Sequence, residues 1–571
     1  MLQPASAWWG VGAAVLPGAL AGAHLAGLLF FLNPTLPFRF APLVRGVLVY
    51  AALLGGASLL VHLPWLLRAR RAPPRFLPWS LAAVLLAFAV LDAAQASFYA
   101  YYLPAGINVR LLKAAAWLAL AGLIVLYVAF AHGWTGRRYG RASRWTIAVV
   151  ALLSLYALVE RRESFQPRPE PTPLGAVVEG QRQVELYVVG IDGATLDALL
   201  PLTEQGRLPF LAAMLREGSY ARLRSLTPTR AQPLWMTLAT GKHPHRHGVV
   251  ANQLEPAPFL FPGAELQLVP AGVGFTHWGT FGAASRPVDK SQRRALATWE
   301  ILARLGGAPT VVGWPEATPA PPGVAFALSE AFFAGQPGQV SPPEIEAMAT
   351  VLRMPVVEAD PALLRSLGDR LPPSVHVGLE QDLWRERVAA ALLDRQRSTT
   401  VDPALFLRLP GLRQASRRWF GGFVAHDLEG EQSARAADAA RRVEAYYRHL
   451  DDSLASLWAR ARGPRLFAVI SPYGATTPSN WRRALTLGRL PVEGVLTGRA
   501  DGVLLLRGEG IRAGSFVGEA GIADVAPTLL YGLGLPVGRD MDGRALTGVF
   551  EPSFLATHPL SFVPSYETLT R

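Results

Sequence analysis

Apolar positions fall into two regimes along this chain. Up to about residue 160 they form long, nearly unbroken runs; beyond residue 184 they come in short β-branched clusters separated by helical spacings. Five runs stand out in the first regime: Ala7–Phe31, Val47–Leu67, Leu77–Tyr99, Leu111–Phe130 and Trp145–Val159. A helix needs roughly 20 apolar residues to cross about 30 Å of hydrocarbon. The first four runs therefore read as membrane spans, and the fifth, with 15 residues, is short for one. Aromatic residues at the run edges, among them Trp8, Trp65, Trp79, Tyr101 and Trp145, fit interfacial belts. No Lys or Arg precedes the first run, unlike a secretory signal peptide.

The second regime opens with Val184–Gly190 (VELYVVG), the pattern of a buried strand, followed by Asp192 and a helical stretch, Ala194–Gly218. Strand, tight loop and helix begin an α/β unit, in which ligands bind beyond the carboxyl ends of the strands. Further strand candidates are Thr310–Gly313, Phe423–Ala425, Leu466–Ile470 and Gly502–Leu506, with helices such as Ala434–Ala461 between them. This alternation predicts a doubly wound, mostly parallel sheet. The expected organisation is a five-helix transmembrane region over 1–162, a Pro-rich linker over 163–183 and an α/β ectodomain over 184–571. Within that domain, 330–412 reads as a cap or insertion.

Charge sharpens the division. Of 571 residues 17% are charged, against about 25% in a soluble protein. Up to Val177 there are 15 Lys and Arg against four acidic residues; the remainder carries 40 against 38. Of the net +13, +11 thus falls in the first 177 residues and +2 in the rest, which gives no case for nucleic-acid binding. There is no cysteine, which excludes disulfides and thiolate metal sites. Arg68, Arg70, Arg71 and Arg75 lie between runs two and three, and Arg137, Arg138, Arg141 and Arg144 between runs four and five. Positive loops stay inside. The amino terminus is then cytoplasmic and everything after Arg161 extracytoplasmic, as in a bacterial inner-membrane protein with a periplasmic domain. The expected partners are the bilayer and an envelope protein, glycan or lipid.

Asp92 is the sole acidic residue within a run, with Gln95 three positions on. An intramembrane carboxylate marks function by default, which would place activity in the bundle. The plainer reading sets Asp92 near a helix end or bonded to a neighbouring helix. His24 and His62 read as packing or hydrogen-bonding residues.

Several phrases of the second regime closely resemble the alkaline phosphatase superfamily, in particular its type I phosphodiesterase/nucleotide pyrophosphatase branch. They are GIDGATLDALLPLTEQGRLPFLAAMLREGSYARLRSLTP, WMTLATGKHPHRHGV, ATWEILARLG, VVGWPEATP and IADVAPTLLYGLGLPVGRDMDGRAL. The resemblance runs from about Val184 to Glu567. It implies an α/β fold with two divalent metals, usually zinc, held by Asp and His, and a Ser or Thr between them that attacks phosphorus.

Carried over position by position, most of that site is absent. Asp192 is present. Ala231 stands where the nucleophile belongs, so no catalytic residue is identified. The Asp-x-x-x-His motif falls on Asp427 and Glu431, and the expected Ser-Asp-His-Gly reads Ser471-Pro472-Tyr473-Gly474. No histidine occurs between His449 and His558. Four ligand positions and the nucleophile have changed together, which predicts a non-catalytic binding or scaffold module without a cofactor. The alternative is a divergent metal-dependent hydrolase or transferase of phosphoesters on envelope lipids or glycans. It would hold one divalent cation (zinc, magnesium or calcium) on Asp192, Asp427 and Glu431. Thr229, Ser471 or a metal-bound water would then attack. In His243-Pro244-His245-Arg246-His247 only His247 matches the family, in a fold role; the rest reads as surface, as does Lys242.

Overall fold

The computed structural model describes residues 4–68, 76–161, 172–173, 184–271, 284–368, 370–396, 403–477 and 501–570. Arg70, Arg71 and Arg75 and almost all of the 163–183 linker lie outside the described residues. The chain divides into two compact units. One comprises Met1–Pro167 with Val250–Val288, and the other Arg168–Val249 with Asp289–Arg571.

The helical unit contains α1 (Pro4–Leu32), α2 (Phe40–Arg68), α3 (Leu77–Phe98), α4 (Ala105–Thr135) and α5 (Arg141–Ser154), the last extended by a short turn, Tyr156–Val159. Five segments are long and apolar enough to cross a membrane; the fifth, Arg141–Leu158, has 18 residues and the lowest mean hydropathy, 1.2. α1 and α2 pack closely because Gly18 and Gly22 present no side chain. A Cβ on Gly18 would lie 2.0 Å from the Leu54 carbonyl oxygen, and one on Gly22 would lie 2.3 Å from that of Tyr50. Such small-xxx-small pairs let helix backbones approach within a membrane.

Polar side chains mark the two ends of the bundle. At one end His62 meets Ser80 (3.2 Å) and His132 meets Ser143 (2.8 Å), joining α2 to α3 and α4 to α5. At the other, buried Arg161 donates to the carbonyls of Phe30, Pro34 and Leu36. His24 shares a hydrogen bond with Ser154 across helices. Asp92 lies within α3 rather than at its end; it is buried, and its Oδ1 has no hydrogen-bond partner among the described residues.

The segment 250–271, which sequence patterning assigns to the α/β domain, folds with the helices. Its apolar residues Ala257, Leu260, Ala264 and Leu266 share one core with Leu25, Leu29, Phe30 and Tyr50. Side chains of the helical region hold its backbone. The Asn33 side chain donates to Leu268 O (2.7 Å) and accepts from the backbone N–H groups of Gln267 and Leu268. Gln95 exchanges two hydrogen bonds with Ala271, and the Tyr99 hydroxyl donates to Val269 O (2.9 Å). Gln95 is thus an anchor for this strap. Replacing Asn33 with alanine strands buried backbone groups. Hydrogen–deuterium exchange of the full chain in detergent should then show the Gln267 and Leu268 amides exchanging roughly tenfold faster or more. Unchanged protection there would show that apolar packing alone seats the strap.

The second unit is built on a nine-stranded sheet. In chain order its strands are β1 (Glu185–Ile191), β2 (Ser219–Arg224), β3 (Pro309–Trp314), β4 (Phe326–Ser329), β5 (Val340–Ser341), β6 (Ala404–Leu409), β7 (Arg465–Ser471), β8 (Gly502–Gly508) and β9 (Ser515–Gly521). Their spatial order is β9-β2-β8-β7-β1-β6-β3-β4-β5. β7, β1, β6, β3 and β4 run parallel, while β8 is antiparallel to both its neighbours. Every residue of β1 is buried, as expected of a strand covered on both faces.

One sequence expectation needs correction here. Phe423–Ala425 is no strand: Phe423 closes a helix, Gly411–Phe423, and Val424–Leu428 form a single π-helical turn. Among its buried positions Leu412, Ala415, Ser416, Trp419, Phe420 and Phe423 follow a spacing of three and four that belongs to a helix. The strand is instead β6, next to β1, and it comes from within the 330–412 stretch.

Candidate functional site

The site gathers at the carboxyl ends of the central strands. Asp192 follows the last residue of β1 and is fully buried. Arg408, on β6, stands opposite Gly190 in the strand register. Trp235 comes from the second turn of α6 (Ala231–Thr240). Asp192 Oδ1 accepts from Trp235 Nε1 at 2.5 Å, and Oδ2 accepts from Arg408 Nη2 at 2.6 Å. Gly190 makes this possible, since a Cβ there would lie 2.5 Å from the Trp235 ring.

The Arg408 guanidinium lies 5.2 Å over the Trp235 ring, and its Nη1 is 2.9 Å from Glu330 Oε2. Burial works against its charge, but Asp192 and then Glu330 outweigh burial and hold it more firmly protonated than usual. The result is a chain of groups, Trp235–Asp192–Arg408–Glu330, with both Asp192 oxygens engaged by N–H donors.

These residues do not fit a two-metal centre. A cation at Asp192 would compete with the Trp235 and Arg408 donors and sit against the Arg408 guanidinium, which already supplies positive charge there. Ala231, at the first position of α6, offers only a methyl group. At the end of β7, Ser471 is buried and its hydroxyl donates to the Tyr473 carbonyl at 2.7 Å, while the Tyr473 ring is buried beyond it. Asp427 sits in the π turn and bonds to His426 Nδ1 at 2.6 Å. Glu431 accepts from Ser433 Oγ at 2.6 Å, where Ser433 caps the helix Ala434–Arg460. The Thr229 hydroxyl lies 3.4 Å from the Leu226 carbonyl. Among the described residues, no three of His, Cys, Asp or Glu gather as a metal-holding group.

The histidine cluster is a structural corner. His247 is buried; its Nδ1 accepts from the Val249 N–H and its Nε2 meets Thr237 Oγ1 at 3.1 Å. Burial keeps its pKa well below the usual histidine range. Lys242 is not solvated, contrary to the expectation from sequence. It is buried and bridges Asp540 (2.6 Å) and Glu567 (2.7 Å). Arg246 pairs with Asp542, so three acidic residues near the carboxyl terminus fasten this loop.

Arg408, Glu330 and Trp235 were not singled out from sequence. A signal for Arg408 exists in ALFLRL, where a charge interrupts a strand-like apolar run. A buried charge needs a partner.

Fold and site define a class: an α/β domain with a doubly wound, largely parallel sheet and an acidic residue at the end of its first strand. The family model described as type I phosphodiesterase / nucleotide pyrophosphatase matches residues 186–502, and the chain belongs to that family. Among solved structures it is similar to the alkaline phosphatase PafA, at 13% identity over 68% of this chain and 100% of that one, TM-score 0.42. It is also similar to murine ectonucleotide pyrophosphatase/phosphodiesterase 5, at 13% identity over 65% and 100%, TM-score 0.38. A third is the phosphonate monoester hydrolase of Silicibacter pomeroyi, at 15% identity over 65% and 78%, TM-score 0.38. No curated protein matches the chain significantly.

Proposed function

We propose that this protein is a membrane-anchored phosphodiesterase-family member whose α/β domain binds a ligand or partner of the cell envelope without hydrolysing it. One observation carries the reading: the acidic residue that the family would place on a metal is closed off by Arg408 and Trp235. Ala231 at the nucleophile position agrees with it. The reading also places the α/β domain on the extracytoplasmic side of a bacterial inner membrane. The four-Arg loops support that orientation. So does the bundle, in which the ends of α1 and α3 gather with Arg161 and the strap, while the ends of α2 and α4 meet the following helices at the opposite end.

The test uses the full chain purified in neutral detergent, with elemental analysis for zinc, magnesium and calcium and an assay on bis(p-nitrophenyl) phosphate. Well under one ion per chain, and no turnover above buffer, is the expected result. A stoichiometric ion that supports turnover and is lost in Asp192→Asn would overturn the reading and make the protein a hydrolase.

A further inference from the structure

The turn that joins α4 to α5 carries four arginines, Arg137, Arg138, Arg141 and Arg144. All four are exposed, and no ion pair holds any of them among the described residues. The helical unit has nothing at this end to neutralise them. Up to Val159 the chain holds one acidic residue, Asp92. It is buried in α3, one turn from the Gln95 that binds the strap at the opposite end of the bundle. Glu265 belongs to the strap itself, two residues from the Gln267 amide that Asn33 holds, and it pairs with Arg286.

His132 holds the turn in shape. Its Nε2 meets Ser143 Oγ at 2.8 Å, its Nδ1 lies 3.2 Å from the Arg137 carbonyl oxygen, and its ring packs 4.4 Å from that of Tyr139. Gly136 takes the left-handed conformation, φ 65°, that closes α4. Arg141 and Arg144 are three apart in the first turn of α5 and so share one face, while Arg137 and Arg138 lead into it. Trp134 and Trp145, 83% and 70% exposed, bracket the four arginines. Exposed indoles at the ends of apolar helices belong at headgroup depth, which sets these guanidinium groups among lipid phosphates.

We propose that this turn binds an anionic phospholipid headgroup, with Arg137/Arg138 and Arg141/Arg144 as two guanidinium pairs suited to a lipid that carries two phosphates. Planar guanidinium gives phosphate oxygens paired N–H bonds. Basic clusters beside a membrane span attract anionic lipid by an amount that grows with each residue. Loop charge that only oriented the helices during insertion would need neither the His132 clamp nor the flanking indoles. The binding is independent of any metal in the α/β unit, so its failure would leave the metal-free reading untouched.

The experiment is native mass spectrometry of the delipidated full chain in neutral detergent, titrated with cardiolipin, phosphatidylglycerol or phosphatidylcholine. Binding should be tightest for cardiolipin, weaker for phosphatidylglycerol and weakest for phosphatidylcholine. Arg137→Gln/Arg138→Gln and Arg141→Gln/Arg144→Gln should each weaken cardiolipin binding roughly thirtyfold, about fivefold per arginine. Arg39→Gln/Arg45→Gln removes the same charge from the opposite end and should leave the tightest adduct unchanged. Replacing all four arginines of the turn with lysine keeps the charge that orients the helices; that variant should lose several-fold, through the paired hydrogen bonds alone. Equal binding of the three lipids, an equal loss in Arg39→Gln/Arg45→Gln, or affinity unchanged in the glutamine and lysine variants overturns the proposal. Full displacement of the lipid by inorganic phosphate also overturns it, since the turn would then be a site for a free anion.

Discussion

Arg408→Met is expected to lower the unfolding free energy of the α/β unit by about 3–5 kcal/mol, the cost of leaving one member of a buried ion pair alone. The pair is buried on both sides, with side-chain exposures of 2% and 0%, so solvent does not screen the loss. The variant leaves Asp192 with one donor, Trp235, in an interior that cannot solvate a carboxylate. The partner replacement tests the cause. In Asp192→Leu/Arg408→Met no charge is stranded, and apolar replacement of a whole buried pair is often neutral or better. Most of the lost stability should therefore return. Chemical denaturation of the full chain in detergent, followed by tryptophan fluorescence and closed as a double-mutant cycle, reads the coupling. Strictly additive losses would mean that the pair contributes nothing beyond its separate packing.

Glu316→Gln should stabilise the protein above pH 8 and flatten its pH dependence. Glu316 is 8% exposed, both its carboxyl oxygens lack hydrogen bonds among the described residues, and its φ is 55°. Burial raises its pKa from 4.5 to about 8, against the pull of Arg293. The folded protein thus holds a proton that the unfolded chain releases. Its contribution is fully present below about pH 4.5 and is lost as the pH rises through about 8. Each pH unit in that window removes at most about 1.4 kcal/mol. The glutamine variant removes this ionisation, and a gain of about 2–4 kcal/mol over wild type at pH 9 follows from the same linkage. Glu316→Gly should add about 1 kcal/mol by relieving a left-handed backbone conformation that side chains disfavour. Unfolding measured from pH 5 to 9 checks both. Parallel profiles for wild type and Glu316→Gln would sink the assignment.

The parts legible in the sequence are those with local physical causes. Four long apolar runs can bury nothing in water and must find lipid or one another. The short β-branched runs at β1, β3, β7 and β8 state their own extended form, and GIDG states the turn that presents Asp192. Phe423–Ala425 misleads because three apolar residues carry no period of their own; the helical spacing is visible only from Leu412 onward. β6 escapes because Arg408 breaks its apolar run, and a buried charge looks like a surface position until its partner is known. Lys242 misleads for the same reason: Asp540 and Glu567 lie about 300 residues further along the chain.

Sequence alone determined that this chain joins apolar spans to a phosphodiesterase-family α/β domain, with Asp192 just beyond its first strand. Only the tertiary structure decided what surrounds that carboxylate. Strand order sets β6 beside β1 and brings Arg408 to Asp192 across 216 residues of chain. Folding of 250–271 with the helices likewise gives Asn33 and Gln95 a partner more than 170 residues away. Hydrophobic period and turn chemistry act over a few residues, whereas the pairing of buried polar groups is settled by whichever neighbours the finished sheet and bundle supply.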